Sequence, residues 1–168
     1  MQKTARDRAV AEASPLFRER LSPSLWVLVS AAVVAPMAAL VFAPIDTSVA
    51  LVAGAIAGVL FVALLIAGSP VVEVRDGMLR AGRARIPVGL LGSPVATTGA
   101  DAQNARGPGL DPRAWHVIRG GIDGVVVVEV TDPDDPTPEW VVSSRTPDRL
   151  AAAVRRAQSS TTPRTPRR

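Results

Sequence analysis

The sequence contains no cysteine, no tyrosine, one histidine and one lysine. The missing cysteine excludes disulfide bonds, thiolate nucleophiles and cysteine-ligated zinc. The single lysine, Lys3, lies outside any glycine-rich phosphate loop, and Ser143-Ser144 lacks the flanking glycines of a serine nucleophile elbow. The sequence therefore predicts no catalytic residue, no cofactor-binding residue and no bound cofactor.

The remaining candidates for chemistry are the histidine and one acidic loop. His116 lies in a predicted strand, so we interpret it as a partly buried structural residue rather than a general base. In the loop 132–138, prolines interrupt the aspartates Asp132, Asp134 and Asp135, and the glycine and terminal glutamate of an EF-hand are absent. We interpret this segment as a rigid, solvated loop without a metal. A membrane enzyme that uses His116 or the loop is the alternative to a non-enzymatic protein.

Positive charge is concentrated at the ends of the chain. The formal net charge is +4, yet residues 71–154 hold nine arginines against eleven acidic residues, whereas residues 155–168 hold five arginines and no acid. A nucleic-acid-binding domain would carry basic and aromatic residues on its folded surface. We therefore expect no nucleic-acid partner.

Two long apolar runs, Leu25–Phe42 and Val49–Ala67, contain no charged residue. At about 1.5 Å per helical residue each run reaches roughly 27–28 Å, close to the thickness of a bilayer's hydrocarbon core. The connection 43–48 offers Asp46, Thr47 and Ser48 as N-cap residues, and Pro36 predicts a kink in the first helix. The sequence therefore predicts a transmembrane helical hairpin over residues 25–67.

The charges that flank the runs predict their orientation. The connection between the runs has no Lys or Arg, whereas both outer flanks are basic. By the positive-inside rule we expect a multi-pass protein of the cell membrane with both termini in the cytoplasm. A cleaved signal peptide is the less favoured alternative, because the first run is long and a second run follows directly. The flanking residues are Arg18, Arg20, Arg75, Arg80, Arg83 and Arg85.

Small residues in the second run allow close helix packing. Gly54 and Gly58 have the spacing at which two helix backbones can approach. They form either a dimerisation face, which would make a homo-oligomer, or the contact with Ala31, Ala35 and Ala39 of the first helix, which we favour. A transporter is not expected, because neither run contains an ionisable residue.

Residues 71–157 are predicted to form a small cytoplasmic, mostly β domain. Short alternating segments separated by turn residues, including Asp76-Gly77, predict five or six antiparallel strands in a sheet or small barrel. Between them we expect an irregular strand at 88–95 and a helical turn at 99–105. A C-terminal helix over 147–157, with Thr146 as its N-cap, closes the sheet. The fold class is thus a membrane α-helical hairpin plus a small α+β domain.

The two ends of the chain lie outside this domain in our interpretation. Residues 1–24 form a cytoplasmic segment, either a polar tail or a short helix on the membrane surface. Residues 158–168 form a disordered basic tail.

Several short stretches within residues 16–157 form a recognisable set: 17–21 with Pro23, 72–74, 79–82, 86–87, 110–114, 135–138 with Trp140, and 143–145 with Pro147. Together they resemble an actinobacterial-type family of two-span membrane proteins, domain of unknown function 3093. This resemblance implies a membrane protein and brings no activity. The order of strands, turns and final helix also resembles bacterial pleckstrin-homology-like (PH-like) domains.

These observations favour a membrane-tethered interaction or scaffold module whose partners are the lipid bilayer and either anionic lipid or another membrane protein. The alternative is a sensor of anionic lipid head groups, because arginines near a membrane surface gain about 1 kcal/mol each from anionic lipid. The candidate contact residues are Arg80, Arg83, Arg85, Arg155 and Arg156.

Overall fold

A computed structural model describes residues 15–161, which form two compact units. One unit, here called the hairpin unit, is Ser22–Ser69. The other, here called the sheet unit, contains the chain before and after it, residues 15–21 and 70–161 in the described part. The predicted tail residues 162–168 and the first 14 residues lie outside the described residues.

The hairpin unit consists of three helices: α1 (Leu25–Ala32), α2 (Val34–Phe42) and α3 (Thr47–Ala67). Helices α1 and α2 form one span of 18 residues that is interrupted at Val33. Pro36 has no N–H to donate to the carbonyl four residues earlier, and the interruption at Val33 lies three residues before this proline, near the predicted kink. Both spans are long and apolar enough, by length and composition, to cross a membrane.

Helix α3 begins two residues before the predicted apolar run. Among the three predicted N-cap residues, Asp46 takes this role, and its carboxylate accepts a hydrogen bond from the Val49 N–H at 3.0 Å. This bond satisfies one of the free N–H groups of the first turn and adds a negative charge at the positive end of the helix dipole.

The first sheet has four antiparallel strands in chain order: β1 (Phe17–Arg20), β2 (Val71–Arg75), β3 (Met78–Ala81) and β4 (Ala84–Pro87). Asp76 and Gly77 both have positive φ, at 51° and 70°, which confirms the predicted type I′ turn.

Strand β1 corrects the prediction for residues 1–24. The sequence suggested a polar tail or a surface helix, but Phe17–Arg20 pairs with β2, with Phe17 opposite Val74. The pairing extends to Leu21, whose N–H donates to the Pro70 carbonyl at 2.9 Å. The whole hairpin unit is therefore inserted between two adjacent strands of one sheet.

The second sheet contains β5 (Val95–Thr97), β6 (Trp115–Val117), β7 (Val125–Glu129) and β8 (Glu139–Ser143) in the order β5-β7-β8-β6. Strand β6 runs parallel to β8. The predicted antiparallel sheet or small barrel is thus wrong, because β7 comes between β6 and β8 in the chain and pairs with the other edge of β8, so the chain reverses twice before β8 pairs with β6. Among residues 15–161 the strands form two sheets and no closed barrel.

The segment 88–95 also differs from its prediction. It contains a 3₁₀ turn over Val88–Leu90 and an isolated bridge between Leu91 and Val130 instead of a strand. The expected helical turn is confirmed as helix α4 (Gly99–Ala105).

One hydrophobic core joins the inner faces of both sheets to the last helix, α5 (Pro147–Thr161). Helix α5 extends four residues beyond the predicted end. Gln158 anchors this last turn, because its amide donates to the carbonyls of Val88, Leu91 and Gly92 at 2.8–3.1 Å. The largest fully buried side chains of the core are Leu21, Leu79, Leu150, Val72, Val74, Val88, Val128, Val142 and Val154.

Candidate functional site

A polar cluster joins β1 to the segment that leads into α5. The Glu19 carboxylate is only 13% exposed, and it accepts hydrogen bonds from the Ser144 hydroxyl at 2.6 Å and the Arg145 backbone N–H at 2.9 Å. The Arg145 guanidinium lies 3.6 Å from the same carboxylate and donates to the Arg20 carbonyl at 3.2 Å. Bonds to a charged group are stronger than neutral ones, so this cluster holds β1 against the rest of the sheet unit.

A second set of bonds fixes the end of β1. The Ser143 hydroxyl, which is fully buried, accepts from the Arg119 backbone N–H at 3.1 Å. The Arg119 side chain donates in turn to the Leu21 carbonyl at 3.3 Å. The stretches 17–21 and 143–145, which both carry the family resemblance, are therefore in direct contact.

Beside this cluster, a groove of about 570 Å³ runs between the edge strand β1 and helix α5. Arg149 and Arg156 are seven residues apart, which places them on one face of α5 at a separation of about 10 Å along the axis. Ala152 and Ala153 lie between them and leave the space open. The groove is lined by Leu16, Phe17, Arg18, Glu19, Arg145, Thr146, Arg149, Ala152, Ala153 and Arg156.

The groove carries an excess of positive charge. Four arginines and one glutamate line it, which leaves three positive charges. That glutamate, Glu19, is already bonded to Ser144 and Arg145. Within residues 15–161, no carboxylate forms an ion pair with Arg18, Arg149 or Arg156. The arrangement is suited to binding an anion.

The five arginines predicted to contact lipid or a partner are not on one surface. Arg80 and Arg85 are cross-strand neighbours and line a second cavity, of about 300 Å³, together with Arg75, Glu73 and Asp76. The two acids oppose most of the positive charge there. Arg80 is further held by the Gly82 carbonyl at 3.2 Å.

The other three predicted arginines lie in three different places. Arg83 stacks over the Trp115 ring at 5.3 Å, and Arg155 donates to the Pro94 carbonyl at 3.1 Å. Only Arg156 lines the groove. Sequence reasoning missed Arg18, Arg145 and Arg149 as a set, because Arg18 is far from the other two in the chain.

The residues considered for enzymatic chemistry do not form a cluster. His116 lies on β6 as predicted, but it is exposed rather than partly buried, because its side chain is on the outer face of this short strand; its Nδ1 lies 3.3 Å from the Ala114 carbonyl oxygen. In the acidic loop, the Asp135 carboxylate accepts from the Thr137 N–H at 2.8 Å, and this bond lowers the pKa of Asp135. Among the described residues, no three His, Asp or Glu side chains are close enough together to hold a metal ion.

Within the hairpin unit, the two glycines of α3 face α2. A Cβ at Gly54 would lie 2.6 Å from the Ala35 carbonyl oxygen and 2.8 Å from the Ala39 Cβ. A Cβ at Gly58 would lie 2.8 Å from the Ala35 Cβ. Both glycines therefore allow the intramolecular helix contact that the sequence offered as one of two alternatives.

Comparison with known proteins gives one match. A family model described as a protein of unknown function (DUF3093) matches residues 16–154. The match begins one residue before β1 and ends within α5, so it includes both units. No curated protein and no solved structure matches the chain.

Proposed function

The chain belongs to the DUF3093 family, and from this premise we propose that it is an integral membrane protein whose helical hairpin holds a small PH-like binding domain at the cytoplasmic face of the cell membrane. The domain acts as an interaction module and not as an enzyme. The observation that carries the proposal is the insertion of the apolar hairpin unit, with its two candidate spans, between the paired strands β1 and β2.

The surface of the hairpin unit supports a lipid environment. Only 6% of the first span and 17% of the second are buried, whereas a core helix of a soluble protein would be mostly buried. Of the large hydrophobic side chains exposed in the described chain, all but Leu16 and Val95 lie between residues 25 and 66. A continuous exposed apolar surface of this extent is stable only in lipid or against another apolar surface.

The pairing of β1 with β2 argues against removal of the first span as a signal peptide. Cleavage after that span would also remove β1 and the adjacent Leu21, so the core would lose Phe17 and the fully buried Leu21. The same pairing joins Leu21 to Pro70, so the two ends of the hairpin unit leave the sheet unit at one point. This supports both termini on one side of the membrane, and the basic flanks favour the cytoplasmic side.

The absence of cysteine allows a direct test of this topology. We expect Ile45→Cys, at a residue that is 75% exposed in the connection between the spans, to react with a membrane-impermeant maleimide on intact cells. The matched control is a cysteine at Asp123, whose side chain is 92% exposed in the sheet unit, and which should react only after permeabilisation. Labelling in the opposite pattern, or extraction of the protein by alkaline carbonate, would contradict the proposal.

A further inference from the structure

We propose that the groove between β1 and α5 binds a phosphate-bearing ligand that also has an apolar portion. This inference specifies the ligand class of the binding module proposed above. It does not require membrane insertion, because every residue that lines the groove belongs to the sheet unit.

The arginines of the groove provide the phosphate contacts. Arg18 approaches from β1, and Arg149 and Arg156 approach from one face of α5. Guanidinium groups bind phosphate through paired N–H donors. Three of them line one groove, and together they offer more N–H donors than the single carboxylate of an acidic side chain needs, which favours the several oxygens of a phosphate.

The floor of the groove keeps this volume open. Ala152 and Ala153 separate the two helical arginines by a methyl group each, and longer side chains at these positions would fill the space. The volume of about 570 Å³ lies within the range of small-molecule sites, which extends from about 300 to about 1,000 Å³.

The apolar portion is inferred from the wall that β1 provides. Leu16 is 44% exposed, although large hydrophobic side chains elsewhere in the described sheet unit, except Val95, are at least partly buried. Leu16 and Phe17 line the groove next to Arg18. An organic group attached to the phosphate would cover these side chains and remove them from water.

The test uses the full-length protein in neutral detergent micelles, with arginine side-chain N–H signals recorded by NMR and assigned by substitution. Three probes are titrated: dihexanoyl phosphatidic acid, phenyl phosphate and inorganic phosphate. We expect saturable shifts of the Arg149 and Arg156 signals. We expect each of Arg149→Gln and Arg156→Gln to weaken binding about tenfold. The matched control is Arg155→Gln, which removes the same charge from the same helix outside the groove and should leave affinity unchanged.

The organic probes distinguish the source of the ligand. Tighter binding of phosphatidic acid indicates a lipid head group, and tighter binding of phenyl phosphate indicates a soluble organic phosphate. In either case Leu16→Ala should weaken the organic probe and leave inorganic phosphate unaffected. Because Leu16 and the helical arginines are exposed, these variants should fold, and unchanged tryptophan emission checks this.

Three outcomes would overturn the inference: no saturable shift with any probe, an equal loss of affinity in Arg155→Gln, or saturable binding of a hexaglutamate peptide in place of the phosphates. Equal affinity for all three phosphate probes would overturn its apolar part. Extraction of the protein by carbonate would contradict the membrane proposal alone, because the phosphate titrations in detergent do not depend on it.

Discussion

Removal of the Glu19 carboxylate should destabilise the sheet unit far more than removal of an exposed charge. In Glu19→Ala the Ser144 hydroxyl, which is fully buried, loses its 2.6 Å acceptor. A hydrogen bond to a charged group contributes about 1.5–3 kcal/mol, and an unsatisfied buried donor costs a similar amount. The Arg145 backbone N–H is at an exposed residue, so water can replace its bond. We therefore expect a loss of about 2–3 kcal/mol in the free energy of unfolding.

The measurement is urea unfolding of the full chain in neutral micelles, followed by tryptophan emission. Trp26→Phe removes the hairpin tryptophan, so Trp140, which is 4% exposed, and its neighbour Trp115 report on the core of the sheet unit. A loss of 2 kcal/mol lowers the midpoint by about 1 M urea if the slope is about 2 kcal/mol/M.

Two controls make this result interpretable. Arg75→Ala breaks an ion pair whose side chains are 46% and 68% exposed, and it should cost less than about 1 kcal/mol. The double variant Glu19→Ala/Ser144→Ala should be less destabilised than the sum of its single variants, because both remove the same bond. A loss in Glu19→Ala no larger than that of Arg75→Ala, or strictly additive effects, would refute this account of the cluster.

Three further changes test other parts of the structure. Gly58→Leu should lower the free energy of unfolding of the hairpin, measured by thermal unfolding in micelles, by about 1–3 kcal/mol, because the larger side chain overpacks the contact with α2. Ala55→Leu, at an exposed position of the same helix, should leave this free energy unchanged. Replacement of Ser22–Ser69 by Asn-Gly should give a water-soluble monomer with the circular dichroism of a folded α+β domain, since the chain ends to be joined are already hydrogen-bonded at 2.9 Å; an aggregated product would contradict this. Carbon-detected NMR should show that Asp135 titrates below its usual pKa. Because its pKa is lowered on folding, the stabilisation from its bond to Thr137 is complete above the unfolded-state pKa and is lost as the pH falls through the folded-state pKa.

Local features were predictable from the sequence because each is encoded within a few residues. The charge-free apolar runs, the cap at Asp46 and the turn at Asp76-Gly77 depend on neighbours in the chain. Helix α4 and the start of α5 at Pro147 are of the same kind.

Pairings between distant segments were not predictable. Three of the four residues in β1 are charged, so the segment looks like a polar tail until it is placed beside β2, 50 residues later in the chain. The parallel pairing of β6 with β8 depends on the intervening strand β7, which occupies the other edge of β8. The groove was not predictable for the same reason, because Arg18 and Arg149 line one cavity only when β1 lies beside α5.

The position of the hairpin also determines the order in which the protein can be completed during synthesis. A ribosome that has made Arg20 must add residues 21–70 before it begins the partner strand, which takes several seconds at about 5–20 residues per second. The early strand must remain unaggregated during that interval, and its charged residues keep it soluble. In the topology proposed above, insertion of only one span would leave β1 and β2 on opposite sides of the bilayer, so a finished domain would report that the two spans were inserted as a pair.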